Sequence, residues 1–417
     1  MAAADTECIV VGGGIGGAVL ALALGRAGRS VLILEREAAP PAMATARPEI
    51  LAGATLDTFN RLGIGERIVR EAALPICALE LFEAGSRRAL FRITPEDLRR
   101  AGARPHSTDP AATRRIVLEE AQRTGRVVIE REVEVQGLVT QGSAVVGVRA
   151  LKAQQPLEYR APLTVGDDGT HSKIRTAMGA TIRLQEFPID FFGAVVPGYP
   201  QQPERTGQGW LNVRGLRRGL FAALFLPIPG HRTALVFGVA AARSEPWRRT
   251  RPEAFDAAAA QLSPLCEEAG RLPKFPEGFG YFRRPFGHAS RYAGDGVALL
   301  GDAAHPVTPA GGQGANMSVA DAAVLAQVAL EALRRGDCSA SRLARYEAAR
   351  RPANARSLQF SVRPTQVFRV LQAAPVLAPL LRWFLGYVNG RQELKLRFAG
   401  GVAKAFLSSP PQYTTIG

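Results

Sequence analysis

A glycine-rich turn, GGGIGG at residues 12–17 (the cradle), lies between an apolar run and a run of helix-forming residues, and it restricts the fold more than any other feature. The residues before it, Glu7 to Val11, are apolar and β-branched, which predicts a buried strand. The residues after it, Ala18 to Ala27, predict a helix that Gly28 caps at its C-terminus. A second apolar run, Ser30 to Leu34, predicts another strand. Together they predict a β-α-β unit with parallel strands and a right-handed crossover.

The glycines of the cradle have the spacing G-x-G-x-x-G, and each has a mechanical role in a dinucleotide site. Gly12 permits the tight turn, Gly14 lets the backbone approach a pyrophosphate, and Gly17 lets the helix pack against the strand. The helix N-terminus then offers unpaired N–H groups to the phosphates. Glu35 ends the second strand, where a carboxylate accepts hydrogen bonds from ribose hydroxyls, and Arg36 beside it is either a cofactor contact or a surface charge. Because FAD and NAD both carry an ADP moiety, the motif alone does not distinguish them.

A second glycine loop, GDAAHPVTPAGGQGAN at residues 301–316, follows the predicted strand Gly296 to Leu300 and opens a predicted helix at 315–335. Asp302 therefore lies at the carboxyl end of a strand, where ligands bind in α/β sheets. Pro309 fixes the loop, and three glycines expose the backbone at the start of the helix: Gly311, Gly312 and Gly314. That helix N-terminus predicts a second anion site, suited to the negative edge of a reduced flavin.

With this loop the sequence resembles a known family, the single-component FAD-dependent aromatic hydroxylases, or para-hydroxybenzoate hydroxylase-like flavoprotein monooxygenases. Three blocks carry the resemblance in the family's order: the cradle with Glu35, VGDDGTHSKIR at 165–175, and the loop at 301–316. Together they frame about 300 residues. The middle block departs from the family pattern, because Asp167 stands where alanine is usual.

The resemblance implies a role for each residue of these blocks. It places the ADP part of FAD at four residues: Gly12, Gly14, Gly17 and Glu35. It places the ribityl or pyrophosphate region near Asp302. It implies that five residues line the isoalloxazine ring: Pro309, Gly311, Gly312, Gly314 and Asn316. No protein side chain is identified as the catalytic group, because the flavin performs the chemistry.

Further residues are implied near the cofactor. Asp168 and Gly169 match the family's Asp-Gly pair, near FAD and the nicotinamide donor. Arg115 resembles the arginine that reaches the FAD phosphates, and Arg114 competes for that role. Arg47 matches an arginine near the flavin, or else is a surface residue.

The activity that the resemblance implies is monooxygenation. NADH or NADPH reduces FAD, reduced FAD reacts with O2 to give a C4a-hydroperoxide, and a hydrophobic aromatic or heteroaromatic substrate is hydroxylated. His305 is interpreted as a residue that packs the FAD loop, not as a general base. Two alternatives remain open. One is an FAD-dependent reductase or dehydrogenase of an isoprenoid or polyketide without oxygen insertion, and the other is a flavin- or ligand-binding homologue without turnover.

The fold class follows from the order of the patterns. It is α/β, with a Rossmann-like FAD-binding domain interleaved with a mostly antiparallel β-sheet substrate domain and followed by a C-terminal helical region. The predicted FAD-binding domain comprises residues 1–75, 100–180 and 285–350, the substrate domain residues 76–99 and 181–284, and the C-terminal extension residues 351–417. Aromatic residues of the second domain are candidates for the walls of a substrate pocket or for its core: Phe192, Trp210, Phe221 and Phe225.

Composition and charge restrict the partners. The net charge is +15, but the arginines are scattered and no aromatic motif accompanies them, so we expect no nucleic-acid partner. The four cysteines are isolated and no metal-ligand spacing is present, so no metal site is predicted. The polar start of the chain predicts a cytoplasmic protein. The basic, apolar segment 368–388 is either a membrane contact or a helix packed on the FAD-binding domain, and the oligomeric state stays open.

Overall fold

The computed structural model describes residues 6–38, 49–83, 89–197, 206–211, 220–249, 253, 280–283, 285–309 and 311–397. Its helices are α1 (Ile15–Arg26), α2 (Gly53–Arg61), α3 (Gly65–Glu71), α4 (Pro95–Arg100), α5 (Pro110–Arg123), α6 (Lys173–Ala177), α7 (Glu245–Arg249), α8 (Gly314–Arg335), α9 (Ala340–Ala373) and α10 (Ala378–Asn389). Its strands are β1 (Cys8–Val11), β2 (Val31–Glu35), β3 (Glu49–Leu51), β4 (Ala73–Pro75), β5 (Ala78–Glu83), β6 (Ala89–Ile93), β7 (His106–Thr108), β8 (Val127–Arg131), β9 (Val133–Gln141), β10 (Ala144–Lys152), β11 (Gln155–Arg160), β12 (Leu163–Gly166), β13 (Ile189–Pro197), β14 (Thr206–Leu211), β15 (Leu220–Ile228), β16 (Arg232–Ala240), β17 (Gly280–Phe282), β18 (Ala293–Gly294) and β19 (Val297–Leu299).

The N-terminal β-α-β unit lies within a six-stranded sheet with the order β18-β19-β12-β1-β2-β8. β1 pairs in parallel with both β2 and β12, and β12 pairs in parallel with β19. Parallel strands align their carboxyl ends, so the segments that follow β1, β12 and β19 meet at one edge of the sheet. All residues of β1 are buried, and α1 packs against both α5 and α8. The predicted β-α-β unit is confirmed, with Gly28 at a left-handed φ of +80° just beyond the end of α1.

A seven-stranded sheet with the order β17-β13-β16-β15-β14-β5-β6 is the largest of the described sheets. Its neighbouring strands pair antiparallel, except β14 and β5, which are parallel. The prediction of a mostly antiparallel second sheet is therefore confirmed. Its strands come from two separated parts of the chain, residues 78–93 and 189–282, both inside the ranges that the sequence assigns to the substrate domain. The limits of the domains themselves stay a prediction.

A small third sheet and two helices precede α5. The region 40–75 contains α2 and α3 together with β3 and β4. These two strands pair with β7 in a small antiparallel sheet of the order β3-β7-β4. Residues 39–48, which include Arg47, lie outside the described residues.

Long helices form the C-terminal part of the described chain, as the sequence predicts. α8 has 22 residues and ends before Gly336, whose left-handed φ of +64° caps the C-terminus of the helix. α9 has 34 residues, and α10 follows it after a single turn of 3-10 helix. Among the described residues, α8 alone is long and apolar enough to cross a membrane, and 67% of its apolar stretch is buried inside the protein. This burial is explained by its packing between α1 and α9.

Candidate active site

The turn between β1 and α1 has the geometry that its glycines predict. Gly12 adopts a left-handed φ of +97°, and a Cβ atom there would collide with the backbone carbonyl of Asp167. A Cβ atom on Gly17 would lie 2.8 Å from the carbonyl oxygen of Gly12, so only glycine lets α1 pack this close to β1. Gly13 donates its N–H to Glu35 Oε2 at 2.9 Å. The cradle and the carboxyl end of β2 are therefore joined.

One arginine of α5 lies against the cradle. Arg114 donates from Nη2 to Glu35 Oε2 at 2.7 Å and from Nε to the carbonyl oxygen of Gly13. Arg115, which the resemblance favours, is exposed and pairs with Glu119 at 2.7 Å on the surface of the helix. Successive helical residues point about 100° apart, so only one of two adjacent arginines can face the cradle. The structure therefore places Arg114, not Arg115, beside the cradle, and the contact of either arginine with the FAD phosphates stays a prediction.

The carboxyl group of Asp167, directly after β12, also reaches the cradle. Its Oδ2 accepts the N–H of Gly17 at 2.8 Å, and a Cβ atom on Gly14 would collide with the same oxygen. Burial raises the pKa of Asp167 well above its usual value, and the nearby carboxylates of Asp302 and Asp168 raise it further. The replacement of the family's alanine therefore places an acid inside the predicted phosphate site.

Asp168 and Gly169 form the turn that leads from β12 to α6. Asp168 Oδ2 accepts the N–H groups of Lys173 at 2.7 Å and of Ile174 at 3.1 Å, so it caps the start of α6. Its Oδ1 is buried and has no hydrogen-bond partner in the part of the chain that the structure describes. Gly169 has a left-handed φ of +80°, which favours glycine in this turn. A contact of this pair with FAD or with the nicotinamide donor stays a prediction.

The second glycine loop begins beside the cradle, because β19 is paired with β12 and β12 with β1. Thr170 Oγ1 donates to Asp302 Oδ2 at 3.5 Å, which joins this loop to the Asp-Gly turn. A Cβ atom on Gly301 would lie 3.0 Å from Asp167 Oδ1. The three sequence blocks of the resemblance therefore meet at the carboxyl ends of adjacent parallel strands.

The remainder of the second glycine loop presents backbone. Gly311 and Gly312 have left-handed φ angles of +87° and +62°. Gly312 donates its N–H to the carbonyl oxygen of Pro309 at 3.0 Å, which closes a turn. α8 begins at Gly314, and the N–H groups of its first turn have no partners within the helix. Such a surface suits a flat ring, and its contact with the flavin stays a prediction.

The resemblance places Asn316 along the flavin ring, but its side-chain amide makes its hydrogen bonds inside the protein. Its Oδ1 accepts the N–H of Ala52 at 2.9 Å and the hydroxyl of Thr55 at 2.6 Å. Its Nδ2 donates to the carbonyl oxygens of Ile50 at 2.7 Å and Gly312 at 3.2 Å. Asn316 therefore ties β3 and the start of α2 to the second glycine loop, which is a positioning role that the sequence did not reveal.

His305 of the second glycine loop belongs to a buried charged cluster. Its Nε2 hydrogen-bonds to Oδ2 of Asp321, whose Oδ1 accepts from Arg350 Nε at 2.8 Å. Asn354 Nδ2 donates to the same Oδ1 at 2.9 Å. Burial alone would raise the pKa of Asp321, but His305 and Arg350 outweigh it and hold that pKa below its usual range. This geometry agrees with the interpretation of His305 as a packing residue, since its one described side-chain bond goes to the core.

Two of the predicted substrate residues lie in the core of the seven-stranded sheet. Phe192 is fully buried and packs on Trp247 with ring centroids 5.4 Å apart. Phe225 is buried in the same apolar cluster. Because protein side chains already surround both rings, the structure argues against their assignment as pocket walls. The side chains of Trp210 and Phe221 lie outside the described residues.

The structure describes no contact between the cradle and Arg36 or Arg47, the two other arginines that the sequence analysis considers near the cofactor. Arg36 follows β2 and is exposed, which favours its interpretation as a surface charge. Arg47 lies outside the described residues. A role of either residue in cofactor binding stays a prediction.

Comparison with known proteins agrees with this geometry. The family model described as an FAD binding domain matches residues 5–361. The ubiquinone hydroxylase UbiL of Rhodospirillum rubrum is 28% identical over 414 residues, covering 93% of this chain and 90% of that protein. The 6-methylpretetramide 4-monooxygenase of Streptomyces rimosus is 28% identical over 381 residues, covering 86% and 83%. The p-nitrophenol 4-monooxygenase PnpA of Pseudomonas putida DLL-E4 has the same fold, with a TM-score of 0.78 over 96% of this chain and 98% of that chain, at 19% identity.

Proposed function

Since the chain belongs to the family of FAD-dependent aromatic hydroxylases, we propose that it uses NADH or NADPH and O2 to hydroxylate a hydrophobic aromatic or heteroaromatic substrate. FAD is its cofactor, and the two relatives described above are named as a hydroxylase and a monooxygenase. The observation that carries the proposal is the convergence of the three motif blocks at one edge of the six-stranded sheet.

The residues at this edge fit FAD. The first turn of α1 offers backbone N–H groups, and Arg114 adds a positive charge beside them. The buried Oδ1 of Asp168, which has no partner among the described residues, is available to a ligand. Bound FAD would supply hydride acceptance and oxygen activation, which amino-acid side chains do not provide. The protein's own part is to bind the substrate, orient it and exclude water.

For the substrate, we propose the face of the seven-stranded sheet opposite to the Phe192 cluster. On that face Phe191 pairs with Gly238, which pairs in turn with Ala222. Phe191 is only partly buried and stacks on Phe187 and Phe282, with ring centroids 5.9 and 5.5 Å away. The partly exposed ring of Phe191 offers a flat apolar surface to an aromatic molecule.

α9 connects this face of the sheet to the second glycine loop. Phe360 of α9 lies 3.5 Å from the position of a Cβ atom on Gly311. Phe368 packs in one apolar cluster with Phe187 and Phe191. The two phenylalanines of α9 are separated by about 12 Å along the helix axis. A substrate ring on this face beside Phe360 would lie next to the loop that is predicted to hold the flavin.

Reconstitution with FAD tests this function. The purified chain should bind FAD and turn yellow, and a ring substrate that it accepts should stimulate oxidation of NADH or NADPH. With isotopically labelled O2, the product should gain one labelled oxygen atom. A reduced or desaturated product without label would indicate the reductase or dehydrogenase alternative. Tight ligand binding without stimulated NAD(P)H oxidation would indicate a binding protein, and a chain that does not bind FAD would contradict the proposal.

We also propose that α10 attaches this cytoplasmic enzyme to a membrane surface, from which an apolar substrate would be taken. The outer face of α10 exposes large apolar side chains: Leu380, Trp383, Phe384 and Tyr387. Trp383 is 65% exposed and stacks on Tyr387 at 5.2 Å between ring centroids. Arg391 lies over the ring of Tyr387 at 4.2 Å, and the net charge of +15 suits anionic headgroups.

A further inference from the structure

Asp167 uses one of the N–H groups that the predicted phosphate site offers. α1 begins at Ile15, so the N–H groups of its first turn have no partner within the helix. One of them, the N–H of Gly17, donates to Asp167 Oδ2 at 2.8 Å. The same oxygen occupies the space of a Cβ atom on Gly14, the residue whose backbone approaches a pyrophosphate in this motif. The carboxyl group therefore lies inside the cradle.

The charges around Asp167 oppose its ionisation. Asp168 faces it from the turn after β12, and Asp302 faces it from the second glycine loop. The hydrogen bond from the N–H of Gly17 favours the ionised form of Asp167, and so does Arg114 of α5. A negative charge on Asp167 in turn raises the pKa of Tyr346 in α9. Burial and the two acids outweigh the opposing influences, so the pKa of Asp167 lies well above that of a free aspartate.

A diphosphate would bring further negative charge to the same helix N-terminus. Two anions that share one set of N–H groups repel each other unless one of them is neutralised. A protonated carboxyl group has no such conflict, because it carries no charge and its O–H donates a hydrogen bond to a phosphate oxygen. Protonation of Asp167 would therefore turn a repulsive neighbour into a ligand of the diphosphate.

We propose that FAD binds to the form of the protein in which Asp167 is a neutral carboxylic acid, so that FAD binding takes up a proton at any pH at which Asp167 is ionised in the FAD-free protein. The inference rests on the proposed function, because it assumes that FAD occupies the cradle. The sign follows from linkage. A ligand that prefers the protonated form binds more weakly as the pH rises above the pKa of the free protein, by up to about tenfold per pH unit.

The affinity for FAD as a function of pH tests the proposal. FAD-free protein is titrated with FAD between about pH 5.5 and pH 8.5, and flavin fluorescence gives Kd. We expect the wild-type Kd to increase with pH, by up to about tenfold per pH unit, once the pH exceeds the pKa of Asp167 in the FAD-free protein. Asp167→Asn keeps an acceptor for the N–H of Gly17 but does not titrate. The Kd of Asp167→Asn for FAD should change by less than about threefold over the pH range. At the upper end of that range this variant should bind FAD more tightly than the wild type.

Two controls accompany this titration. Asp57→Asn removes an exposed acid of α2 that pairs with Arg104, and it should keep the wild-type pH dependence. Asp167→Ala installs the residue that is usual in the family and should behave as Asp167→Asn does. Calorimetric titration in two buffers of different protonation enthalpy, at a pH where the wild-type Kd rises with pH, should show uptake approaching one proton per FAD in the wild type and almost none in either Asp167 variant.

A wild-type pH profile that does not differ from that of the Asp167 variants would overturn the inference and leave FAD binding intact. The inference would also be overturned if both Asp167 variants took up as many protons on FAD binding as the wild type does. If neither the wild type nor the variants bind FAD, although all of them unfold cooperatively on heating, the proposed function fails together with the inference.

Discussion

Arg114 lies with its guanidinium between Glu35 and the backbone of Gly13, and so between the two parts of the predicted ADP site. We predict that Arg114→Ala weakens FAD binding by about 10- to 100-fold, because a hydrogen bond to a charged group contributes about 1.5–3 kcal/mol. Arg115→Ala is the matched control. The pair that Arg115 makes with Glu119 is exposed and contributes little, so its Kd should change by less than about threefold. Fluorescence titration of FAD at one fixed pH measures both, and equal losses would contradict the assignment.

Single residues of the site were predictable from sequence where the backbone conformation allows only one residue type. Gly12 and Gly17 were found because a left-handed φ and a close helix–strand contact exclude a Cβ atom, and spacing alone reveals both. The choice between Arg114 and Arg115 was not predictable, because it depends on how α5 packs against the cradle. Asn316 shows a second limit, since its partners are far away in sequence and only the fold brings them together.

At the scale of an element, α10 is the helix whose outer face we predict to bind lipid. Replacing Trp383 and Phe384 together by serine removes two large apolar side chains from that face. Burial of each side chain is worth about 1.5–3 kcal/mol. Even if they insert only partly, the double variant should therefore partition to vesicles about 10- to 100-fold more weakly than the wild type. Co-sedimentation with vesicles of phosphatidylserine and phosphatidylcholine measures the partition, and the wild type should bind more weakly as salt is raised.

A surface residue elsewhere provides the control for α10. Val69 of α3 is 42% exposed, and Val69→Ser should leave vesicle binding unchanged. Equal sedimentation of the wild type and the double variant would contradict a membrane role. A wild type that is dimeric by light scattering, with a monomeric double variant, would show that a second copy covers this face instead.

Elements were more predictable than the faces they present. The apolar runs that predict β1, β2 and β19 correspond to observed strands, because burial on both sides demands continuous hydrophobicity. Phe191 and Phe192 show why the pocket was harder to predict. Adjacent residues of a strand point to opposite faces, and both faces of this sheet are apolar. Only the packing of Trp247 on one side and Phe368 on the other distinguishes them.

At the scale of the whole molecule, the segment between β17 and β18 leads from the seven-stranded to the six-stranded sheet and is hydrogen-bonded to the second glycine loop. Its histidine predicts acid sensitivity. His288 Nδ1 lies 3.0 Å from the hydroxyl of Tyr292, and its ring centroid is 6.0 Å from that of His305. Burial, with further contributions from His305 and Arg351, lowers the pKa of His288 to about 4. The unfolded chain binds this proton more readily, so the stabilisation is complete above the ordinary histidine pKa and decreases as the pH falls towards about 4.

Urea unfolding at about pH 7 and about pH 5 tests this prediction, because the difference in proton binding appears between these values. His288→Gln keeps a hydrogen-bonding side chain beside Tyr292 but does not titrate, so its free energy of unfolding should fall less on acidification than that of the wild type. His171→Gln, at an exposed histidine, should retain the wild-type pH dependence. The charged cluster around Asp321 should not add to the loss in this range, since its carboxylate keeps a lowered pKa and stays ionised. An equal loss of stability in the wild type and in His288→Gln would show that protonation of His288 does not cause the acid sensitivity of the protein.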